Sequence, residues 1–298
     1  MKKLFLILLA LIAIKSCNAQ NTKTIILVTS NPAYTIIKEL AGAKIDVRRL
    51  IPPGASPHTY QPKPSDAYKA QSANILVYVA DNNDGWAVSL PGNRKLLQLV
   101  ELLPREFWIN FRGERINASD TTITTKMIDT HFWMDPLAVK ALIFPLADTL
   151  AKLDHQNAAT YKANAQLFAN RLDILHRQVD NIIHPVKGRT VFLHHPSILY
   201  FINRYGLIYG GAIEEAPGKE PSPKYIANIV QKIKETNTKA IFNEPQLSDK
   251  AIKTIAETAN VELFMLDPVG GGKGTETYQD LILFNARTLA KALAGAEQ

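Results

Sequence analysis

Seven histidines and a scatter of carboxylates hold the metal-binding chemistry of this 298-residue chain, because its single cysteine, Cys17, falls just after the first apolar run, ahead of the folded part. Disulfides and thiolate metal sites are thereby excluded from the folded part. Imidazole nitrogen with carboxylate oxygen suits Zn2+ and is compatible with Mn2+. In open α/β sheets ligands gather outside the carboxyl ends of the strands. His58 follows the strand expected near Val47 to Ile51, across Pro52-Pro53-Gly54, while His195 follows Thr190 to Leu193 and Asp267 ends Glu262 to Asp267. His131 lies in a loop just ahead of Asp135. These candidates lack the short HExxH or CxxC spacing that places ligands on one face, and a lone histidine is more often a cap, a surface residue or a core residue. Spacing alone leaves the set open.

The elements that must position these residues are legible in outline. Thr24 to Val28 is a short apolar run, followed by Ser30-Asn31-Pro32 and a helix bearing Ile36, Ile37 and Leu40 that Gly42 closes. Val47 to Ile51 and Asn74 to Val79 read as further strands, with a helix starting at Ser65-Asp66 between them. Asp135-Pro136 has the cap and first-turn signature of a helix. From about Asp154 the apolar residues Tyr161, Phe168, Leu172, Leu175, Val179 and Ile182 recur at helical spacing, which predicts one long amphipathic rod. After Gly188 the alternation resumes: strand Thr190 to Leu193, a helix capped by Ser222-Pro223, strand Ala240 to Asn243, a helix capped by Ser248, strand Glu262 to Asp267 and a last helix through Tyr278 and Leu289. Strand-helix alternation with few hairpin signals implies parallel sheets. The expected architecture is α/β, two βα lobes with parallel sheets joined by one long linking α-helix. Its boundaries are a signal segment at 1–19, an N-terminal lobe at 20–153, the linking helix at 154–185 and a C-terminal lobe at 186–298.

Composition agrees with a folded, exported protein. Hydrophobic residues make up 46% and charged residues 20%, close to the averages of soluble globular domains. The first residues combine Lys2 and Lys3 with an apolar run from Leu4 to Ile14, too short to span a bilayer, which reads as an export signal. Ile14-Lys15-Ser16-Cys17 fits a lipoprotein box with Cys17 acylated, and Cys17-Asn18-Ala19 fits cleavage before Gln20. Without Lys2, Lys3 and Lys15, 31 basic residues face 27 acidic ones, and no dense basic stripe interleaved with aromatics suggests nucleic acid.

Six ordered segments carry a family resemblance. Pro57-His58-Thr-Tyr-Gln-Pro-Lys-Pro-Ser-Asp66 resembles the PHxYEPxPSD signature of the cluster A-I metal-binding proteins of ABC importers. His131-Phe-Trp-Met-Asp-Pro136 resembles their HxWLDP. His195-Pro-Ser-Ile-Leu-Tyr-Phe201 with Tyr205-Gly-Leu207 resembles HDAFGYF…YGL, with Pro196 where the family usually has Asp. Glu220-Pro-Ser-Pro223, Glu244-Pro-Gln246 and Leu266-Asp-Pro268 follow in the family's order.

The resemblance implies that His58, His131, His195 and Asp267 are the metal ligands. It favours His195 over the adjacent His194, because only His195 keeps the family's count to Tyr200. Glu244 then reads as a buried carboxylate orienting a ligand, Asp66 and Asp135 as helix caps, and Trp86 and Trp133 as packed residues beside the cleft. Manganese members usually carry a carboxylate as third ligand, so His195 points to Zn2+. The absence of histidine from Asn110 to Thr130, where zinc members often have a His-rich loop, keeps Mn2+ as the alternative. The resemblance also implies a monomeric carrier with no enzymatic activity, periplasmic or anchored to the cell envelope through Cys17, delivering its ion to the membrane permease of an ABC importer. The rival readings are a secreted zinc metallohydrolase using Glu244 as general base, and a surface adhesin.

Overall fold

The computed structural model describes residues 23–43 and 45–295. The export segment and Cys17 lie outside them. Among the described residues, eight strands form two four-stranded sheets in which every pairing is parallel. The first contains β1 (Ile25–Val28), β2 (Asp46–Arg49), β3 (Ile75–Tyr78) and β4 (Lys95–Gln98), in the order β2-β1-β3-β4. The second contains β5 (Thr190–Leu193), β6 (Ile208–Ala212), β7 (Ala240–Asn243) and β8 (Glu262–Met265), in the order β6-β5-β7-β8. The two orders are the same permutation. Each sheet therefore has one point where the winding reverses, between β1 and β3 and between β5 and β7, and such points open a crevice at the strands' carboxyl ends.

Parallel strands bury both faces, and the central ones here read as continuous apolar runs. Ile26, Val28, Ile75 and Val77 point to one side, Leu27 and Leu76 to the other, where they meet Leu50 and Ala70. In the second sheet Val191, Leu193 and Phe242 join the same inner core as the first sheet. Phe192 and Ile241 face outward, onto α6 (Pro223–Glu235) and α7 (Lys250–Ala259). The inner core is continuous from one sheet to the other. It is filled by α1 (Asn31–Ala41), α3 (Pro136–Leu153), α4 (Ala158–Ile183) and α8 (Tyr278–Ala294). The linking helix α4 buries Tyr161, Phe168, Leu172, Leu175 and Val179, the residues whose spacing predicted it.

Several local expectations shift. Edge strands β4 (Lys-Leu-Leu-Gln) and β6 (Ile-Tyr-Gly-Gly-Ala) were not expected, because short edge strands half exposed or rich in glycine lack the apolar run of central ones. Helix α2 (Pro64–Gln71) begins before Ser65-Asp66, and Asp66 is its third residue: the carboxylate reaches back to accept from the Lys63 N–H at 2.9 Å. The cap of α7 is Asp249 and not Ser248. Asp135 and Ser222 do cap α3 and α6, accepting from Leu137 N and Tyr225 N.

The turn after β3 depends on Asp84, which is fully buried and accepts from the Thr29 hydroxyl and from Val79 N and Ala80 N. Burial pushes its carboxyl up to about 6, against the lowering effect of those donors. The folded chain thus holds this proton more tightly than the unfolded one. Its stabilising effect is complete below the ordinary carboxyl range and is lost as pH rises through about 6. An Asp84→Asn variant lacks this titration, so its melting temperature relative to the parent should rise from pH 4.5 to pH 7.5. An offset equal at both pH values would show that Asp84 titrates as an ordinary carboxyl.

Candidate metal centre

His58 lies on the turn between β2 and α2, a turn with no regular hydrogen-bond ladder of its own. Trp86 donates from its indole Nε1 to the Pro57 carbonyl at 3.1 Å and packs its ring against Tyr60, whose hydroxyl donates to Asp66 at 2.7 Å. His131 opens the short 3-10 turn Phe132–Met134 that leads into Asp135 and α3. His195 follows β5 directly, ahead of α5 (Leu199–Tyr205). The first two residues come from the first half of the chain and the third from the second half.

The three rings converge on one point. His58 Nε2 lies 3.1 Å from His131 Nε2, and His195 Nε2 lies 3.4 Å from the same atom. One ligand nitrogen from each ring falls within 4.8 Å of the others. Two nitrogens bound to one tetrahedral zinc at roughly 2.0–2.1 Å stand about 3.3 Å apart, so the spacing fits a single ion. His131 and His195 are buried, and a small cavity beside the rings is lined by Trp133, Glu244, Gln246, Pro268 and Val269 as well.

Each ring is held from its far side. His131 Nδ1 lies 3.3 Å from both oxygens of Asp129, which also accepts from the His131 backbone N–H at 2.8 Å. His195 Nδ1 lies 2.8 Å from Glu244 Oε1, and the Ser197 hydroxyl donates to the same oxygen at 2.7 Å. His58 has the Asn82 main chain beside it, and its Nε2 lies 3.4 Å from the Asn83 side-chain amide nitrogen. An acceptor at Nδ1 keeps the proton there and leaves the Nε2 lone pair for an ion. Burial, first, and then the neighbouring His131 and His195 rings hold the His58 pKa well below the ordinary imidazole range, against the Asn82 hydrogen bond. Burial alone would raise the Glu244 carboxyl, but the His195 ring, the Ser197 hydroxyl and His194 together bring it below the usual range.

His194 takes another path from the same strand end. It is fully buried, with Nδ1 2.6 Å from Asn243 Oδ1 and Nε2 3.4 Å from Glu214 Oε1, and it is not in the three-imidazole group. Consecutive residues leaving a strand point to opposite sides, which is why only one of the pair reaches the cluster. Asp267 does not join the group either. Strand β8 ends at Met265, and the Asp267 carboxylate sits in its own loop, accepting from Gln246 Nε2, Val269 N, Gly270 N and the Thr275 hydroxyl.

Asp129 and Asn82 were missed by residue-level reading. The Asp-x-His spacing of Asp129 and His131 was the available signal, since an Asp commonly accepts from the backbone two residues on. Trp133 is buried, edge-on to His131, and donates to the Pro268 carbonyl at 2.8 Å. It is packed, and it also lines the cavity and ties the two halves together.

The comparisons with known proteins agree with this geometry. High-affinity zinc uptake system protein ZnuA of Brucella suis biovar 1 is 35% identical over 168 residues, covering 56% of this chain and 50% of that protein. The match thus spans about half the length of that curated relative. A putative metal-binding protein of Thermotoga maritima is 29% identical, over 98% of this chain and 100% of its own. The Zn(II)-bound structure of a mutant AdcAII of Streptococcus pneumoniae aligns with a TM-score of 0.78 at 26% identity, over 91% of this chain and 98% of that one. The family model for the periplasmic zinc-uptake complex component A matches residues 26–292, and with so little of the chain left outside that match, the chain belongs to this family.

Proposed function

We propose that this protein is an extracytoplasmic carrier that captures one divalent transition-metal ion, zinc in preference to manganese, and delivers it to the permease of an ABC importer. The observation that carries this reading is the convergence of three imidazole Nε2 atoms, with the His131 and His195 rings each backed by a carboxylate at Nδ1. His58, His131 and His195 supply three nitrogen donors. Asp267, whose loop borders the same cavity through Pro268 and Val269, supplies the fourth. Three nitrogens and one oxygen favour zinc over the harder manganese.

Four protein donors leave no position for a catalytic water. Glu244, the residue a metallohydrolase reading would use as general base, is engaged by His195 and Ser197 and serves to orient a ligand. Capture without turnover follows. No helix of the described residues is long and apolar enough to cross a membrane. We assign attachment to the envelope to the acylated Cys17, and the working form to a monomer. The chain divides for this purpose into lobes at 20–153 and 186–298 with the linking helix at 154–185 between them.

Metal titration of the purified protein, read by calorimetry and by thermal melting, tests the assignment. One zinc ion should bind per chain and raise the melting temperature, because the ion binds only the folded state. His58→Ala, His131→Ala and His195→Ala should each lower zinc affinity by orders of magnitude, whereas His194→Ala should change it little. A melting temperature indifferent to zinc, or an affinity lost in His194→Ala and kept in His195→Ala, would sink it.

The anchoring carboxylates give a second expectation. Removing the partner of a metal-bound imidazole typically weakens the metal about 10–100-fold, so Asp129→Asn and Glu244→Gln should each bind zinc that much more weakly while keeping one site per chain. Wild-type affinity in both variants would show that the rings are held in place by packing alone.

A further inference from the structure

Past β6 the chain stays bonded to the strand that carries His195 for two more residues. Ile213 N donates to the Leu193 carbonyl at 2.9 Å, and Glu214 N to the His194 carbonyl at 2.8 Å. The chain then runs out as the segment Glu215-Ala-Pro-Gly-Lys-Glu-Pro221, most of it exposed, and returns at Ser222, the cap of α6. This segment is not packed down onto the domain. Two pockets undercut it at Glu220 and Pro221: one of about 240 Å³, lined also by Ile213 and Tyr225, and one of about 260 Å³, lined also by Ile226, Ala251 and Thr254. A protein interior is close-packed, so a loop with gaps on this scale beneath it is held by its few polar ties and not by a core of its own.

The principal tie is Glu214. Its carboxylate is buried and faces two ways: Oε1 lies 3.4 Å from His194 Nε2, and Oε2 accepts from Gly218 N at 2.8 Å. Gly218 sits in the middle of the segment at φ +78, a conformation that favours glycine. A Cβ added to it would stand 3.5 Å from the Thr59 methyl carbon, and Thr59 adjoins His58. A segment rooted beside one metal-binding histidine thus reaches across to the turn that carries another.

Taking the metal-carrier reading as its basis, we propose that residues 215–221 form a strap along one side of the metal cleft, clasped by Glu214, and that its opening sets how fast the ion enters and leaves. His131 and His195 are buried, so the passage of an ion requires some part of the cleft wall to move, and the strap is the part of that wall with pockets beneath it. The clasp from Glu214 to Gly218 and the approach to Thr59 involve none of the converging Nε2 atoms. They therefore favour neither the empty nor the loaded site. A gate with no differential interaction with the two states changes both rates by the same factor and leaves the equilibrium where it was. This separates the strap from any residue that holds a ligand in place, whose loss weakens the metal itself.

Stopped-flow mixing of the full chain with zinc salt, and of the zinc-loaded chain with excess chelator, gives the association and dissociation rates. In Glu214→Ala both should rise on the order of tenfold, the lower end of what a hydrogen bond to a charged group contributes, with the dissociation constant unchanged. Glu214→Gln keeps an oxygen that accepts from Gly218 N and should restore the parental rates. A second arm closes the strap through exposed residues, so it does not depend on a buried substitution folding: Thr59→Cys with Lys219→Cys, in a Cys17→Ser chain, joined by a short bis-maleimide. Both rates should fall relative to the same protein capped with N-ethylmaleimide. Rates indifferent to Glu214→Ala and to the cross-link, or a change in dissociation rate alone that weakens binding, overturn the strap while one zinc still binds per chain. No zinc bound by the unsubstituted chain would instead sink the metal reading, and the strap with it.

Discussion

Three imidazoles, two of them buried, do not sit with their Nε2 atoms mutually close unless something other than packing sets their tautomer and tilt. If the rings carried their protons on Nε2, the N–H groups would collide where the rings meet; if they were doubly protonated, three charges would share one desolvated space. The arrangement therefore calls for an acceptor behind the rings, and the fold provides carboxylates for two of them: Asp129, two residues before His131, and Glu244, just past the neighbouring strand β7, for His195, while the Asn82 main chain lies beside His58. Much else in the structure serves those acceptors. Ser197 holds Glu244, Tyr200 donates to the Asp129 carbonyl at 3.3 Å, and Asp84 pins the turn that presents Asn82.

The acceptors in turn need the two sheets fixed relative to each other, and the fold does this without a flexible neck. The core runs on through α3, α4 and α8 from one sheet to the other. Polar ties cross at the site as well: Asn31 donates to the Val269 carbonyl at 2.9 Å, Tyr278 to the Trp133 carbonyl at 2.8 Å, and Arg204 pairs with Asp135 at 2.7 Å. Gly270 and Gly271, both at positive φ, allow their loop to lie against Asn31, where an added Cβ on Gly271 would come within 3.0 Å of that side chain. An interface of this kind favours small local adjustment at the cleft over wide opening of the lobes.

Much of this was readable before any coordinates. Helical periodicity located α4 because a rod packed along one face must repeat its apolar residues, and the apolar runs located central strands because both of their faces are covered. Edge strands β4 and β6 escaped, since what makes them strands is a neighbour's hydrogen bonds and not their own side chains. At the site, ordered motifs singled out His58, His131 and His195, and the count to Tyr200 separated His195 from His194, which the structure turns toward Asn243 and Glu214. The motifs also named Asp267, and the structure places its carboxylate in a nest of four donors outside the imidazole group. Partners such as Asp129 and Gln246 act through tertiary contacts, so neither their type nor their spacing announced what they hold.

The bond from Asn31 to Val269 joins residues 238 positions apart, and the one from Trp133 to Pro268 joins residues 135 apart. Contacts of such long sequence separation form late, because the chain between them must be organised before their closure is rewarded. The loop at 267–272 supplies one wall of the cleft through Pro268 and Val269, although all three histidines lie upstream of it in sequence. The gathering of the three imidazoles into one walled cleft is thus a property of the nearly complete fold and not of any segment that carries a histidine.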